Sequence, residues 1–301
     1  AVQRVHKDEI FRLSGFVIYL FFAFLFLFHY FDSNFMINIL LSSMPLVIVG
    51  LKEDLFHNTS PKIRLLSMLM CCLIFFYINP ITFPVLDIPL LGAVINFYPV
   101  NIIFFTFSIL VVMNGMNLID GMNGLFGFTA LFLLLAISII ALNIGDLYIM
   151  EIAILFAAPL IIFLLFNFPF GKVFMGDLGA YFYGFVIAAL VIYLFGKHDF
   201  LVTWKAVLIL FYPCFELLFS FVRKLVNNVN PLSPDNRHLH SIIYQALKNQ
   251  NFTSLQSNCF TTVILIPLYS IPLIFILFFK SANFLNILFA LMLMPIIYLS
   301  I

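Results

Sequence analysis

Apolar runs of about 17–25 residues, long enough to cross a bilayer as helices, alternate along this chain with short polar segments. Ten windows follow this pattern: 14–31, 35–51, 63–79, 99–115, 125–142, 149–167, 179–195, 201–222, 259–279 and 283–301. Inside hydrocarbon a backbone must satisfy its own hydrogen bonds, so each window is expected to be a helix. The pattern predicts an all-α, multi-pass integral membrane protein, with residues 1–301 forming one polytopic unit. Residues 80–98, Pro-rich and partly alternating, are expected as a short hairpin.

Composition agrees with that reading. The chain is 64% hydrophobic and 9% charged, whereas soluble domains are about half apolar and a quarter charged. A net charge of +1 supplies no field for nucleic acid. Cys71, Cys72, Cys214 and Cys259 sit in or beside apolar runs without C-x-x-C spacing, and neighbours make poor disulfides. All four read as packing residues. The sequence starts at Ala1, and no cleavable signal precedes the first window, so it is expected to begin inside a longer protein.

Lys and Arg set the orientation. With a cytoplasmic N-terminus, the inside segments hold Arg4, Lys7, Arg12, Lys52, Lys62, Arg64, Lys172, Arg223, Lys224, Arg237 and Lys248. The outside segments hold Lys197, Lys205 and Lys280. Eleven against three places the segments 51–62, 114–124, 167–179 and 227–241 on the inner face. Those four also carry the chain's clusters of Asp, Asn, His and Gly.

In GLKEDLF, Glu53 and Asp54 are adjacent acids just past a helix end. Neighbouring carboxylates repel unless a cation lies between them; the alternative is an ordinary solvated pair. In NLIDGMNGL, Asn117, Asp120 and Asn123 fall at i, i+3 and i+6, one face if the stretch is helical. Their oxygens are the hard donors Mg²⁺ prefers. A packing seam would explain Gly115, Gly121 and Gly124 but not an ionisable Asp120 at the membrane boundary. The run FNFPFGKVFMGDLGAY adds Asn167, Lys172 and Asp177, a lysine and an acid in a glycine-rich turn that suits a phosphate–metal site. In NPLSPDNRHLHSIIY, Asp235, Arg237, His238 and His240 crowd six positions. His238 and His240 do not share a helix face and converge only in a turn, which Pro231 and Pro234 favour. Arg and His without a nearby Cys suit phosphate better than zinc. His29, His57 and His198 are scattered and read as structural or solvated. Glu216 lies inside a window, where an ionisable group is a functional candidate. A contact with Arg223, two turns on, is the structural alternative.

Taken in order, these segments resemble the polyprenyl-phosphate N-acetylhexosamine-1-phosphate transferases, of the WecA and MraY type. The likeness covers nearly the whole chain. Arg4, His6, Lys7, Arg12 and Gly15 fall on the family's basic first loop, with Ser14 in place of a glycine. Glu53 and Asp54 fall on its paired aspartates. Asn117, Asp120, Gly121, Asn123, Gly124 and Leu125 fall on N-x-x-D-G-x-[DN]-G-L, and Asn167 to Asp177 and Gly179 on N…F-x-G-D-x-G. His238 and His240 fall on the histidine motif, with Ser241 where another histidine often stands.

The resemblance implies an eleven-helix fold, so that one N-terminal helix is expected to be missing here. It also implies transfer of a sugar-1-phosphate from a UDP-sugar to a polyprenyl (undecaprenyl) phosphate, with release of UMP. The metal would be Mg²⁺ or Mn²⁺, held by Asp177 and Asn117. Asp54, Glu53 and Asp120 would be catalytic, while Asn167, Lys172, Asn123, Arg237, His238 and His240 would bind the donor. The implied setting is a bacterial inner membrane with the active site facing the cytoplasm, and a homodimer is among the assemblies it allows. The incomplete histidine motif favours the WecA-like branch, which uses smaller UDP-N-acetylhexosamines for O-antigen, capsule or related glycans. A secondary transporter is the competing class, although only Glu216 lies within a window and no motif repeats. A catalytically inactive relative is the third reading.

Overall fold

A computed structural model describes residues 12–28, 34–86, 92–230, 237–278 and 284–300. Arg4, His6, Lys7, His29, Pro231, Pro234, Asp235 and Lys280 lie outside the described residues. In chain order the described helices are α1 Ser14–Leu27, α2 Asn34–Ser42, α3 Met44–Phe56, α4 Pro61–Ile78, α5 Gly92–Ile95, α6 Tyr98–Ile119, α7 Leu125–Asn143 and α8 Leu147–Asn167. They continue with α9 Gly176–Lys197, α10 Trp204–Ile209, α11 Phe211–Val226, α12 Leu239–Asn249, α13 Ser254–Ile264, α14 Ile266–Phe278 and α15 Phe284–Ser300.

Every apolar window is helical where it is described. Among the described residues six helical spans are long and apolar enough to cross a membrane, namely α4, α6, α7, α8, α9 and α13–α14 taken together, and seven when the bent pair α2–α3 counts as one span. The protein is a multi-pass membrane protein. The ten-window expectation differs from this at four windows. The windows 14–31 and 283–301 form the shorter α1 and α15, and 201–222 is interrupted at Leu210 between α10 and α11. The window 35–51 bends by 47° between α2 and α3. There Ser42 and Ser43 turn their hydroxyls onto backbone carbonyls of Asn38 and Leu40, competing with the helix ladder. The hairpin expected over 80–98 is absent among the described residues. In its place Asn96 pairs with both backbone groups of Leu86, accepting from its N–H and donating to its carbonyl.

The bundle is built around α9, which is buried along nearly its whole length from Gly176 to Gly196. A helix apolar on all sides belongs inside a bundle. Helices α1, α3, α6, α7 and α8 all pack on it. Elsewhere the helices keep one large apolar side outward, as with Ile103 and Leu165, which suits lipid. At the crossing of α1 and α9, Gly15 meets Gly179 backbone to backbone, and a Cβ on either would overlap the other helix. That close approach lets Gly15 N–H donate to Met175 O at 3.0 Å, fixing the start of α1 on the start of α9.

Candidate active site

The start of α9 is where three acidic segments meet. A helix start leaves its first backbone N–H groups without intrahelical partners. Here two carboxylates from elsewhere in the chain take four successive amides. Asp120 accepts from Met175 N–H at 3.4 Å and Gly176 N–H at 2.9 Å. Asp54 accepts from Asp177 N–H at 2.7 Å and Leu178 N–H at 3.1 Å. Negative charge at a helix N-terminus also meets the positive end of the helix dipole. Gly176 makes the arrangement possible. Its φ is +79°, and a Cβ there would run into the Arg12 carbonyl and the Asp54 carboxylate.

Asp177 itself, in the first turn of α9, turns its carboxylate away from those amides. Its Oδ1 accepts from Asn117 Nδ2 at 3.1 Å and its Oδ2 pairs with Arg64 Nη1 at 2.7 Å. Arg64 stands in the first turn of α4, whose start is capped by the Ser60 side chain and by Pro61. Tyr181 also hydrogen-bonds Arg64. Burial pushes the Asp120 carboxyl well above the usual carboxylate range; the Gly176 and Met175 amides pull it back, and the neighbouring Asp54 charge pushes it up again. Asp54, Asp120, Asp177 and Asn117 are thus brought together as expected, with Arg64 added, a residue that the sequence reading used only for orientation. Ser60, Pro61 and a base in the following turn were the available signal.

The expected helical face across 117–123 does not form. α6 stops at Ile119, and the turn that follows is tightened by Asp120 N–H donating to Asn117 O at 3.3 Å. Gly124, at φ +81°, completes the break. Asn123 therefore faces the core rather than Asp120. It is fully buried, with its N–H on Asn258 Oδ1 at 2.5 Å, its Nδ2 on Pro169 O at 2.6 Å and its carbonyl accepting from Thr262 at 2.7 Å. Asn167 is likewise internal, accepting from Gly124 N–H at 2.5 Å and donating to Val173 O at 2.6 Å. Both asparagines, expected at the donor, hold the two turns to each other and to α13. Asn258 and Thr262, one helical turn apart at the start of the apolar window 259–279, were the overlooked sign of that clamp.

Lys172, expected beside the acid of its turn, is exposed and lies over the Phe170 ring at 5.6 Å. The turn closes through Gly171 N–H to Asn167 O and Lys172 N–H to Phe166 O, which carries the ammonium outward. Glu53 Oε2 accepts Thr59 N–H at 2.7 Å and secures the turn between α3 and α4, while its charge also acts on Arg64.

The histidines form a separate buried group. His238 precedes α12 and His240 lies in its first turn, and their rings stack at 5.5 Å, so they do converge. Glu216 lies beneath them, with Oε1 3.4 Å from His238 Nδ1 and 2.9 Å from Leu239 N–H. The contact of Glu216 with Arg223 is not made; Arg223 bonds the Arg237 carbonyl and Ser220 instead. Arg237 is exposed. No hydrogen bond among the described residues joins this group to the carboxylates, but α12 packs on α13, which clamps Asn123. Burial, opposed by Glu216 and aided by His238, lowers the His240 pKa to about 4. The ring is therefore neutral near pH 7. The four cysteines are free, and Cys259 bonds Pro169 O at 3.1 Å.

The bundle and its site define a multi-pass membrane protein with a cluster of carboxylate oxygens at one helix N-terminus. The sequence profile of glycosyl transferase family 4 matches residues 36–195, a stretch that contains Asp54, Asp120 and Asp177 but not the histidines. The chain belongs to that family. It is 32% identical over 203 residues to the undecaprenyl-phosphate alpha-N-acetylglucosaminyl 1-phosphate transferase of Thermotoga maritima, covering 67% of this chain and 60% of that protein. It is 31% identical over 146 residues to the probable undecaprenyl-phosphate N-acetylglucosaminyl 1-phosphate transferase of Bacillus subtilis, covering 48% and 39%. It is also similar to the phospho-N-acetylmuramoyl-pentapeptide-transferase of Streptococcus thermophilus, 29% identical over 150 residues, covering 48% and 44%. The chain thus spans 39–60% of the length of these relatives.

Proposed function

We propose that this protein transfers N-acetylhexosamine-1-phosphate from a UDP-sugar to a polyprenyl phosphate such as undecaprenyl phosphate, releasing UMP. The reading is carried by Asp54 and Asp120 sharing the four amides at the start of α9, beside the Asp177 carboxylate that faces Asn117 and Arg64. The names of the Thermotoga and Bacillus relatives support it, and the incomplete histidine motif at Ser241 favours a small aminosugar over a muramyl-pentapeptide. Phosphoryl transfer asks a protein mainly for positioning and charge neutralisation. Asp54, oriented by two amides, is suited to align the lipid phosphate, and Arg64 to bind phosphate oxygens.

A divalent metal fits this donor set only as a shared site. Among the described residues no three His, Cys, Asp or Glu converge as a ready cage. Among the described residues Asp177 is the one acid of the three whose oxygens are not taken by backbone amides, and the Asn117 side chain, which donates to it through Nδ2, brings its Oδ1 to the same place. One or two protein oxygens completed by substrate phosphates is the common Mg²⁺ arrangement. Asp177 and Asn117 would hold Mg²⁺ or Mn²⁺, with Asp120 near. Such an ion supplies neutralisation of the diphosphate charge.

The excess of Lys and Arg on the segments that carry the site supports a cytoplasmic orientation in a bacterial inner membrane. Purified protein supplied with UDP-N-acetylglucosamine, undecaprenyl phosphate and Mg²⁺ should release UMP and form the lipid-linked sugar. Release of free sugar phosphate without lipid product, or no reaction with any UDP-N-acetylhexosamine, removes this reading.

A further inference from the structure

The segment 237–240 is held from below by side chains that the carboxylate centre does not use. Glu216 on α11 is 1% exposed. Its Oε1 accepts the Leu239 N–H, the first amide of α12, which the preceding His238 side chain leaves uncapped. Its Oε2 accepts from Tyr298 Oη at 2.9 Å, and Tyr298 comes from α15. Seven residues on along α11, Arg223 donates to the carbonyl of Arg237. An acid and a base on one helix face thus take a backbone donor and a backbone acceptor of the same short segment. The Tyr298 ring packs edge-on against Phe215 and Phe219, which stack on each other along α11. Two side chains of α11, one of them held by Tyr298 of α15, therefore fix the backbone of this segment, while Arg237 stays exposed.

A buried carboxylate is a costly choice for a merely structural peg, because an apolar group of like shape fills space without desolvating a charge. What the carboxylate adds is direction: it fixes the start of α12 by its amide, with the His238 Nδ1 3.4 Å from the same oxygen. We propose that Glu216, Arg223 and Tyr298 are positioning residues that hold residues 237–240 in register for the nucleotide-sugar donor, so that α15 contributes to donor affinity without touching the donor. This rests on the transferase reading above.

Two measurements test it on the full chain. Hydrogen–deuterium exchange over 237–249 should be faster in Glu216→Ala and in Tyr298→Phe than in the unaltered protein, with the 175–186 stretch unchanged. In the UMP-release assay, the KM for UDP-N-acetylglucosamine should rise about tenfold in Glu216→Ala, the size of one lost charge-assisted hydrogen bond. The KM for undecaprenyl phosphate should stay within about twofold. Glu216→Gln, which keeps an acceptor for Leu239, should recover most of the loss. Unchanged exchange in both variants overturns the proposal. So does a fall of kcat with both KM values moving together and a lowered Tm, the sign of a generally loosened bundle. If the unaltered protein releases no UMP, the transferase reading falls, and the positioning role is then decided by the exchange measurement alone.

Discussion

Asp54 and Asp177 are joined through the backbone rather than through their carboxyl groups: Asp54 Oδ1 accepts the Asp177 N–H at 2.7 Å. One acid thereby caps the helix on which the other stands. The consequence is a division of duties, because Asp54 is fixed while the Asp177 carboxylate remains directed at Asn117 and Arg64.

Asp177→Asn should lower UMP release by on the order of a thousandfold or more, since it removes the anionic oxygen proposed to face the metal. The fold should survive. The Arg64 pair is partly solvated, at 26% and 20% side-chain exposure, and such pairs are worth about 0–1 kcal/mol. Ser241→Ala should be mild in the same assay. Near-normal turnover by the Asp177 variant would take that residue out of the metal site.

Glu53 and Asp54 should separate cleanly. Asp54→Asn removes the charge aligned by two amides and should cost several orders of magnitude in rate, because misplacement of about 1 Å already matters. Glu53→Gln keeps an oxygen for Thr59 N–H and should cost far less, and Glu53→Asp should be tolerated. Glu53→Ala leaves that amide without its partner and should lower stability by about 1 kcal/mol, seen as a lower Tm with kcat largely kept. Equal damage from Glu53→Gln and Asp54→Asn in the UMP assay would mean that the two share one duty.

Much of this was legible in the chain. Apolar windows gave the helices because length and hydrocarbon leave no other state, and the Lys and Arg count, with the family motifs, gave Asp54, Asp120 and Asp177 as a group. Asn123 and Asn167 misled, since an amide that clamps two turns has the same composition as one that binds a ligand. Only tertiary contact tells them apart. Arg64 was hidden among solvated charges, and Tyr298 among apolar neighbours, because each acquires its partner from more than eighty residues away.

The clamp on the acidic turn can be tested apart from chemistry. Asn258 takes the Asn123 N–H and Thr262 its carbonyl, all three within the core. Asn258→Ala should strand a buried amide at a cost of about 1–3 kcal/mol. Thr262→Val, close in shape, should cost less. Both should lower Tm, and Asn258→Ala should also lower kcat, since Asp120 sits three residues before the released turn. A lowered Tm with kcat retained would separate the clamp from the site.

The buried histidines make stability depend on pH with a definite sign. The His240 pKa stands near 4 in the folded protein, against about 6.5 in an unfolded chain. The groups facing it are Glu216, which favours its charge, and His238, which opposes it. Above pH 6.5 neither state binds the proton and the depressed value has no effect. As pH falls from 6.5 towards 4, the unfolded chain takes up a proton that the folded ring refuses, so the folded state loses ground. The full effect is about 3 kcal/mol, reached only as pH approaches 4. In detergent, Tm should therefore fall between pH 6.5 and pH 5, and His240→Asn should flatten that part of the curve relative to the unaltered protein. A Tm slope over this range that is the same in both proteins would show that His240 is not the group responsible.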